Sequence, residues 1–155
     1  MNKSKQLSAT KLPLARRLES VTFFVDRSLG EKDVPDALRQ AGLNVVVHDD
    51  LFPKDADDVV WLSHCGQHDW VVLSKDKWIK RNPLERQALV AAGVAAFFLS
   101  RGDLSGAANA QAILKGLKRI ANLLASQHRP FIARITPEGK VELWLNHKGK
   151  ERLKS

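Results

Sequence analysis

The stretch Val21-Thr-Phe-Phe-Val25-Asp26 is a run of apolar, β-forming residues that stops on a carboxylate. An apolar run without polar alternation suits a strand buried on both faces. A strand of that kind ending in aspartate delivers the carboxylate to the carboxyl edge of a parallel sheet, where open α/β proteins build their sites. Two other segments repeat the theme. Trp70-Val-Val-Leu73 leads into Ser74-Lys75-Asp76, and the acidic loop Asp55-Ala-Asp57-Asp58 opens Val59-Val-Trp-Leu62.

Outward from these segments, Asn44–Val47 and Val94–Leu99 read as further strands. Asp33 can cap a helix that tolerates Pro35 in its first turn, buries Ala37, Leu38 and Ala41, and stops at Gly42. His48-Asp49-Asp50 runs into a loop containing Pro53. Asp57 or Asp58 caps a helix reaching Gly66, and Asn82-Pro83 opens another that ends at Gly93. Ser105 to Ser126 reads as one long helix, with Ala110, Ile113, Leu114, Leu117, Ile120, Ala121 and Leu124 at helical spacing. Phe131–Ile135 and Val141–Leu145 flank Thr136-Pro-Glu-Gly-Lys140 as a hairpin. This alternation predicts an α/β fold: a mostly parallel central sheet with helices on both faces and a C-terminal β-hairpin. Crossovers of one hand then gather Asp26, Asp49, Asp50, Asp58, Asp76 and Asp103 on a single rim.

The chain has 155 residues, a length that fits one domain. The expected division is a basic arm over 1–20, a globular domain over 21–145 and a basic tail over 146–155. Lys plus Arg is 25 and Asp plus Glu is 17, a net charge of +8 that favours a polyanion, nucleic acid above all. Much of the surplus lies in the two ends, which serve equally well as solvated tails. No apolar run approaches the ~20 residues of a membrane span. The N-terminus lacks the apolar core of a signal peptide, and the single Cys65 rules out an internal disulfide. These features point to the cytoplasm.

Carboxylates crowded on one rim repel one another unless a cation lies between them. Mg²⁺ and Mn²⁺ take oxygen ligands, and such ions activate water and stabilise the leaving oxygen of a phosphodiester. Taken singly, Asp26 is a turn residue, Asp58 an N-cap, and Lys75-Asp76-Lys77 a solvated ion pair. Taken together they predict a divalent-metal site of Asp26, Asp58 and Asp76, with Asp103 as a fourth ligand. Asp49, Asp50, Asp57 and Glu85 stand in reserve, and the sequence does not choose among them. Arg27, Lys75, Lys77, Lys80 and Arg81 fall in loops on the same rim and suit an RNA backbone.

Five segments carry a family resemblance: Phe23-Phe-Val-Asp-Arg-Ser-Leu-Gly30, Ala41-Gly-Leu-Asn-Val-Val-Val-His-Asp49, Asp58-Val-Val-Trp-Leu62, Trp70-Val-Val-Leu-Ser-Lys-Asp-Lys77 and Arg81-Asn-Pro-Leu-Glu-Arg86. Over residues 21–125 the chain resembles PIN-like domains, in particular the compact bacterial branch of VapC-type toxin ribonucleases. The resemblance implies a metal-dependent endoribonuclease with ligands at Asp26, Asp58 (or its neighbour Asp57), Asp76 and Asp103. It also implies Mg²⁺ or Mn²⁺ as cofactor, RNA as substrate, an antitoxin protein as partner and a homodimer. Two other readings stand beside it. One is a non-catalytic RNA- or protein-binding module of the same fold. The other is a receiver-like domain that is phosphorylated on aspartate.

His64 and His68 lie four apart on one expected helix with Cys65 beside them, a spacing that can hold zinc, although that helix offers no fourth ligand. Trp61 and Trp70 read as core. Trp78, among Lys77, Lys80 and Arg81, is the tryptophan placed to stack on a base.

Overall fold

The computed structural model describes residues 13–75 and 82–148. Helix α1 (Leu14–Leu18) precedes strand β1 (Thr22–Val25), and a single 3-10 turn over Arg27–Leu29 leads to α2 (Asp33–Gln40). Strand β2 (Asn44–Val47) passes directly into α3 (His48–Leu51), followed by α4 (Asp58–Gln67) and β3 (Val71–Lys75). Then come α5 (Pro83–Ala92), β4 (Ala95–Leu99), α6 (Gly106–Lys115), α7 (Leu117–Ser126), β5 (Phe131–Ile135) and β6 (Val141–Leu145). No helix among the described residues is long and apolar enough to cross a membrane.

The six strands form one sheet in the order β2-β1-β3-β4-β5-β6. All neighbouring pairs are parallel except β5 with β6, the expected hairpin. Strand β1 lies between β2 and β3, with Val25 opposite both Val47 and Leu73. The chain therefore leaves β1 in one direction along the sheet and returns past it in the other. Such a reversal opens a crevice at the carboxyl ends of the strands. Asp26 is the residue that follows β1 there, its N–H donating to Leu73 O at 3.0 Å.

Alternate residues of each strand feed two cores, as a buried parallel sheet requires. On one face Phe23, Val25, Leu73 and Phe97 pack with Val34 and Leu38 of α2, Ile113 of α6 and Ile120 of α7. On the other, Phe24, Val72, Ala96 and Phe98 pack with Trp61, Leu62 and Cys65 of α4, Leu89 of α5 and Trp144 of β6. Phe24 anchors this second face: Trp61 stacks on it at 5.2 Å and Trp70 at 6.1 Å between ring centroids. Trp61, Trp70 and Trp144 thus belong to this packing, whereas Trp78 lies outside the described residues.

Several expectations need correction. The long helix over Ser105–Ser126 is two helices, broken at Gly116 (φ −90°, ψ 0°). A Cβ on Gly116 would come within 2.7 Å of Val141 Cγ2 and 3.1 Å of Gly139 O, so the hairpin presses into the bend. Asp33 is the first residue of α2 rather than its cap, and His48–Leu51 coils into α3 before the expected loop containing Pro53. Within 1–20, α1 docks on the core through buried Leu18, and Arg17 donates to Asn122 Oδ1 of α7 at 2.6 Å. The cap expected at Asn82 is present, its side chain accepting from Leu84 N at 3.0 Å, and Gly93 ends α5 in the left-handed conformation.

Helices α4 and α5 approach most closely at Gly66, where an added Cβ would collide with the carbonyl oxygen of Ala92. That carbonyl belongs to backbone and cannot step aside as a side-chain end would. Gly66→Ala should cost about 1–3 kcal/mol through overpacking. Thermal unfolding should show a melting point lowered by several degrees; an unchanged value would mean the two helices slide apart freely.

Candidate active site

The rim is assembled from the ends of β1 and β3 and the first turns of α4 and α5. Asp26 is buried, with 8% of its surface exposed. Its Oδ2 accepts from Ser28 Oγ and from Ser74 Oγ, each at 2.8 Å. Ser28 Oγ in turn accepts from the backbone N–H of Lys75 at 3.1 Å. The two serines fix the carboxylate's rotamer and tie the β1 turn to the end of β3. Hydrogen bonds to an ionised group contribute more than neutral ones, about 1.5–3 kcal/mol each.

Asp58 and Glu85 face the same crevice from the second side of the sheet. Asp58 lies in the first turn of α4, and its Oδ1 accepts from Trp61 Nε1 at 2.9 Å. Glu85 lies in the first turn of α5, set there by the Asn82 cap and by Pro83. Its carboxyl is pushed up to about 7 by burial, by contact with the Asp58 carboxyl and by the charges of Asp58 and Asp26. Glu85 Oε2 is buried and receives no hydrogen bond. Two carboxylates can touch in this way only if a proton or a cation lies between them.

The remaining candidates fall in different places. Asp76, Lys77, Lys80 and Arg81 lie outside the described residues. Asp103 is not part of the cluster around Glu85: it is 69% exposed and holds Arg101 by two hydrogen bonds, at 3.0 and 2.8 Å. Asp57 is exposed at the N-cap of α4 and makes no side-chain cap bond, so Asp58 is the member of the pair whose charge Glu85 feels. Asp50 is exposed. Asp49 forms an ion pair with Arg27 Nε at 3.1 Å and meets His48 Nδ1 at 2.8 Å. The Glu31 carboxyl hydrogen-bonds Asp49, which holds Asp49 below the usual range and Glu31 above it. Arg27 also donates to Lys54 O at 3.0 Å, so its guanidinium ties the turn after β1 to the loop after α3.

The zinc spacing on α4 does not develop into a site. Cys65 is buried and its thiol is pushed up to about 12, chiefly by that burial. His64 stacks on His68 at 4.2 Å, and the His68 ring bonds the His64 carbonyl.

Among the described residues no three His, Cys, Asp or Glu side chains are placed to hold a metal ion together. The touching carboxylates of Asp58 and Glu85 nevertheless suit a hard cation, because Mg²⁺ and Mn²⁺ commonly bind through one or two carboxylates and keep several waters. The unpartnered Glu85 oxygen is the feature that such an ion would satisfy. Ser28 and Ser74 enter the sequence reading only as members of the family segments Phe23–Gly30 and Trp70–Lys77, with no role given to either hydroxyl.

Glu85 ionises near its ordinary value of 4.5 when unfolded but near 7 when folded. The folded chain therefore binds more protons between those values, and its stability falls as pH rises through that window. Glu85→Gln removes the loss. In chelator-treated protein E85Q should melt above the wild type by ~3 °C at about pH 8, allowing for screening by solvent, and match it at about pH 4. Differential scanning calorimetry at the two pH values decides it; equal melting at the higher pH would mean that Glu85 ionises without strain.

A family model described as a PIN like domain matches residues 21–101. A curated protein of Mycobacterium tuberculosis named "Putative ribonuclease VapC45" is 30% identical over 125 residues, spanning 78% of this chain and 90% of that protein. No solved structure matches the chain at a significant level. The matched stretch contains β1, the crevice and every carboxylate of the cluster, and the chain belongs to the PIN-like domain family.

Proposed function

We propose that this protein is a metal-dependent endoribonuclease, the toxin of a toxin–antitoxin pair, acting in the cytoplasm on RNA. The observation that carries this reading is the crowding of Glu85 against Asp58 in the field of Asp26, with one buried oxygen left without a donor. Family membership and the relative's name supply the class of reaction.

Asp26, Asp58 and Glu85, with Asp76 following β3, would hold Mg²⁺ or Mn²⁺. The bound ion supplies charge neutralisation at the phosphodiester and a water activated for attack. Ser28 and Ser74 keep Asp26 in one orientation, so that little reorganisation accompanies binding. Trp61 does the same for Asp58. Lys75, Lys77, Lys80 and Arg81 steer the RNA backbone, and the net charge of +8 draws it in from a distance. Asp103 and Arg27 have no part in holding the ion or the RNA in this proposal, since each is committed to another group.

Beside the carboxylates, a cleft of about 530 Å³ between α4 and α5 is walled by Val59, Val60 and Leu84, which are 63%, 54% and 73% exposed. Apolar surface of this kind next to a reactive centre suits an antitoxin segment that covers the site. Pairing of two copies is part of the same reading, with a PIN-like domain over 21–145, a basic tail over 146–155 and a basic arm over 1–20 whose helix α1 lies against the core.

Asp26→Asn and Asp58→Asn should each lower Mn²⁺-dependent cleavage of single-stranded RNA by on the order of 10³-fold, with melting curves showing an intact fold. Calorimetry should show weakened Mn²⁺ binding by both variants. Undiminished metal-dependent cleavage by either one removes that residue from the mechanism. RNA binding by the wild type without turnover would make the protein a non-catalytic module instead.

A further inference from the structure

A second cleft opens on the other side of the rim, between the first turns of α2 and α6, with a volume of about 280 Å³. Its walls include Glu31, Lys32 and Asp33 at the start of α2, Ser28 and Lys75 from the catalytic edge, and Asn109 of α6. Ser28 is the residue that donates to Asp26, so the cleft and the proposed metal site share a wall.

Asn109 brings a buried, unpaired oxygen to this cleft. It is only 2% exposed, yet its Oδ1 is buried without a hydrogen-bond donor. Leaving a buried polar group unpaired is costly, because it has lost its water without gaining a partner. An amide presents both a donor and an acceptor, and rotation about its last bond exchanges which of them faces the cleft. The charged groups on the walls cancel, Lys32 and Lys75 against Glu31 and Asp33. A bare phosphate gains little from such a lining, whereas a neutral group rich in hydroxyls finds donors and acceptors throughout. Along a nucleic-acid strand, that group is the sugar, and only RNA carries a 2′-hydroxyl.

We infer that this cleft is the subsite for the ribose of a nucleotide adjoining the cut, with the Asn109 amide hydrogen-bonding its 2′-hydroxyl and so selecting RNA over DNA. The inference rests on the ribonuclease reading. Asn109 touches the sugar and determines specificity; it does not act on the scissile bond.

The test starts from a mixed-sequence single-stranded RNA cut by the wild-type protein with Mn²⁺. Hexamers spanning a mapped cut are then made with a single 2′-deoxy substitution at each flanking nucleotide. Wild type should lose about 5- to 10-fold in kcat/KM at one of these positions. Asn109→Leu should cleave the ribose and deoxy hexamers at that position equally, and Asn109→Asp, which keeps an acceptor, should retain the difference. If N109L fails to fold, Asn109→Ser provides the comparison with a hydroxyl too short to reach. Wild-type indifference at every flanking position, or unchanged discrimination in the folded variant, overturns the inference. A wild type that cuts no RNA at all defeats the ribonuclease reading alone. The subsite is then judged by fluorescence anisotropy of labelled RNA and DNA hexamers, where an equal preference in wild type and variant overturns it.

Discussion

Glu85 and Asp58 are held against one another at the mouth of a crevice that already contains Asp26, and the surrounding structure has to contain that repulsion. Two like charges near a protein surface oppose each other by about 4 kcal/mol at 4 Å and an effective dielectric near 20. Rigid features of the fold keep the group together. Gly66 lets the end of α4 meet the end of α5 at backbone distance and so fixes how the two helices pack. Asn82 and Pro83 define the first turn of α5 and so the position of Glu85. Trp61, wedged on Phe24, lends Asp58 an indole hydrogen bond. Each of these contributions is modest, but none gives way easily, because each is fixed in backbone or in packed aromatic rings. The proton that Glu85 retains up to about 7 relieves the remaining strain in the metal-free chain.

The parallel strands were legible because burial on both faces leaves a mark in the sequence: Phe23-Phe-Val and Val71-Val-Leu contain no polar residue to turn outward. Asn44–Val47 and the hairpin were found to the residue. Crossover handedness predicts the convergence of Asp26 and Asp58, but not the separate pairing of Asp49 and Asp103. What the sequence withheld was tertiary in origin. The spacing from Ala110 to Leu124 is continuous through Gly116, and only the approach of Val141 and Gly139 shows why a glycine and a break stand there. Asp103 and Glu85 also differ in their surroundings. Asp103 follows a strand and looked suitable, but Arg101 two residues earlier captures it. Glu85 sits within a helix pattern, and its importance comes from the close contact of α4 with α5, which no local pattern announces.

Strand parity divides the chemistry of the rim. Asp26 continues the register of Phe24, which packs toward α4 and α5, and its carboxylate enters the same electrostatic environment as Asp58 and Glu85. Lys75 continues the register of Leu73, which packs toward α2 and α6, and its side chain lines the opposite cleft. Ser74, between Leu73 and Lys75, reaches across to Asp26. One turn of sequence thus sends a hydroxyl to the acidic side and a cation to the other. A chain carrying both phosphates and sugars matches that division when it lies across the rim: its charge needs a cation on the acidic side, while its sugar meets a lining whose own charges cancel. A ligand that was only an anion, or only a sugar, would leave one of the two clefts without a partner.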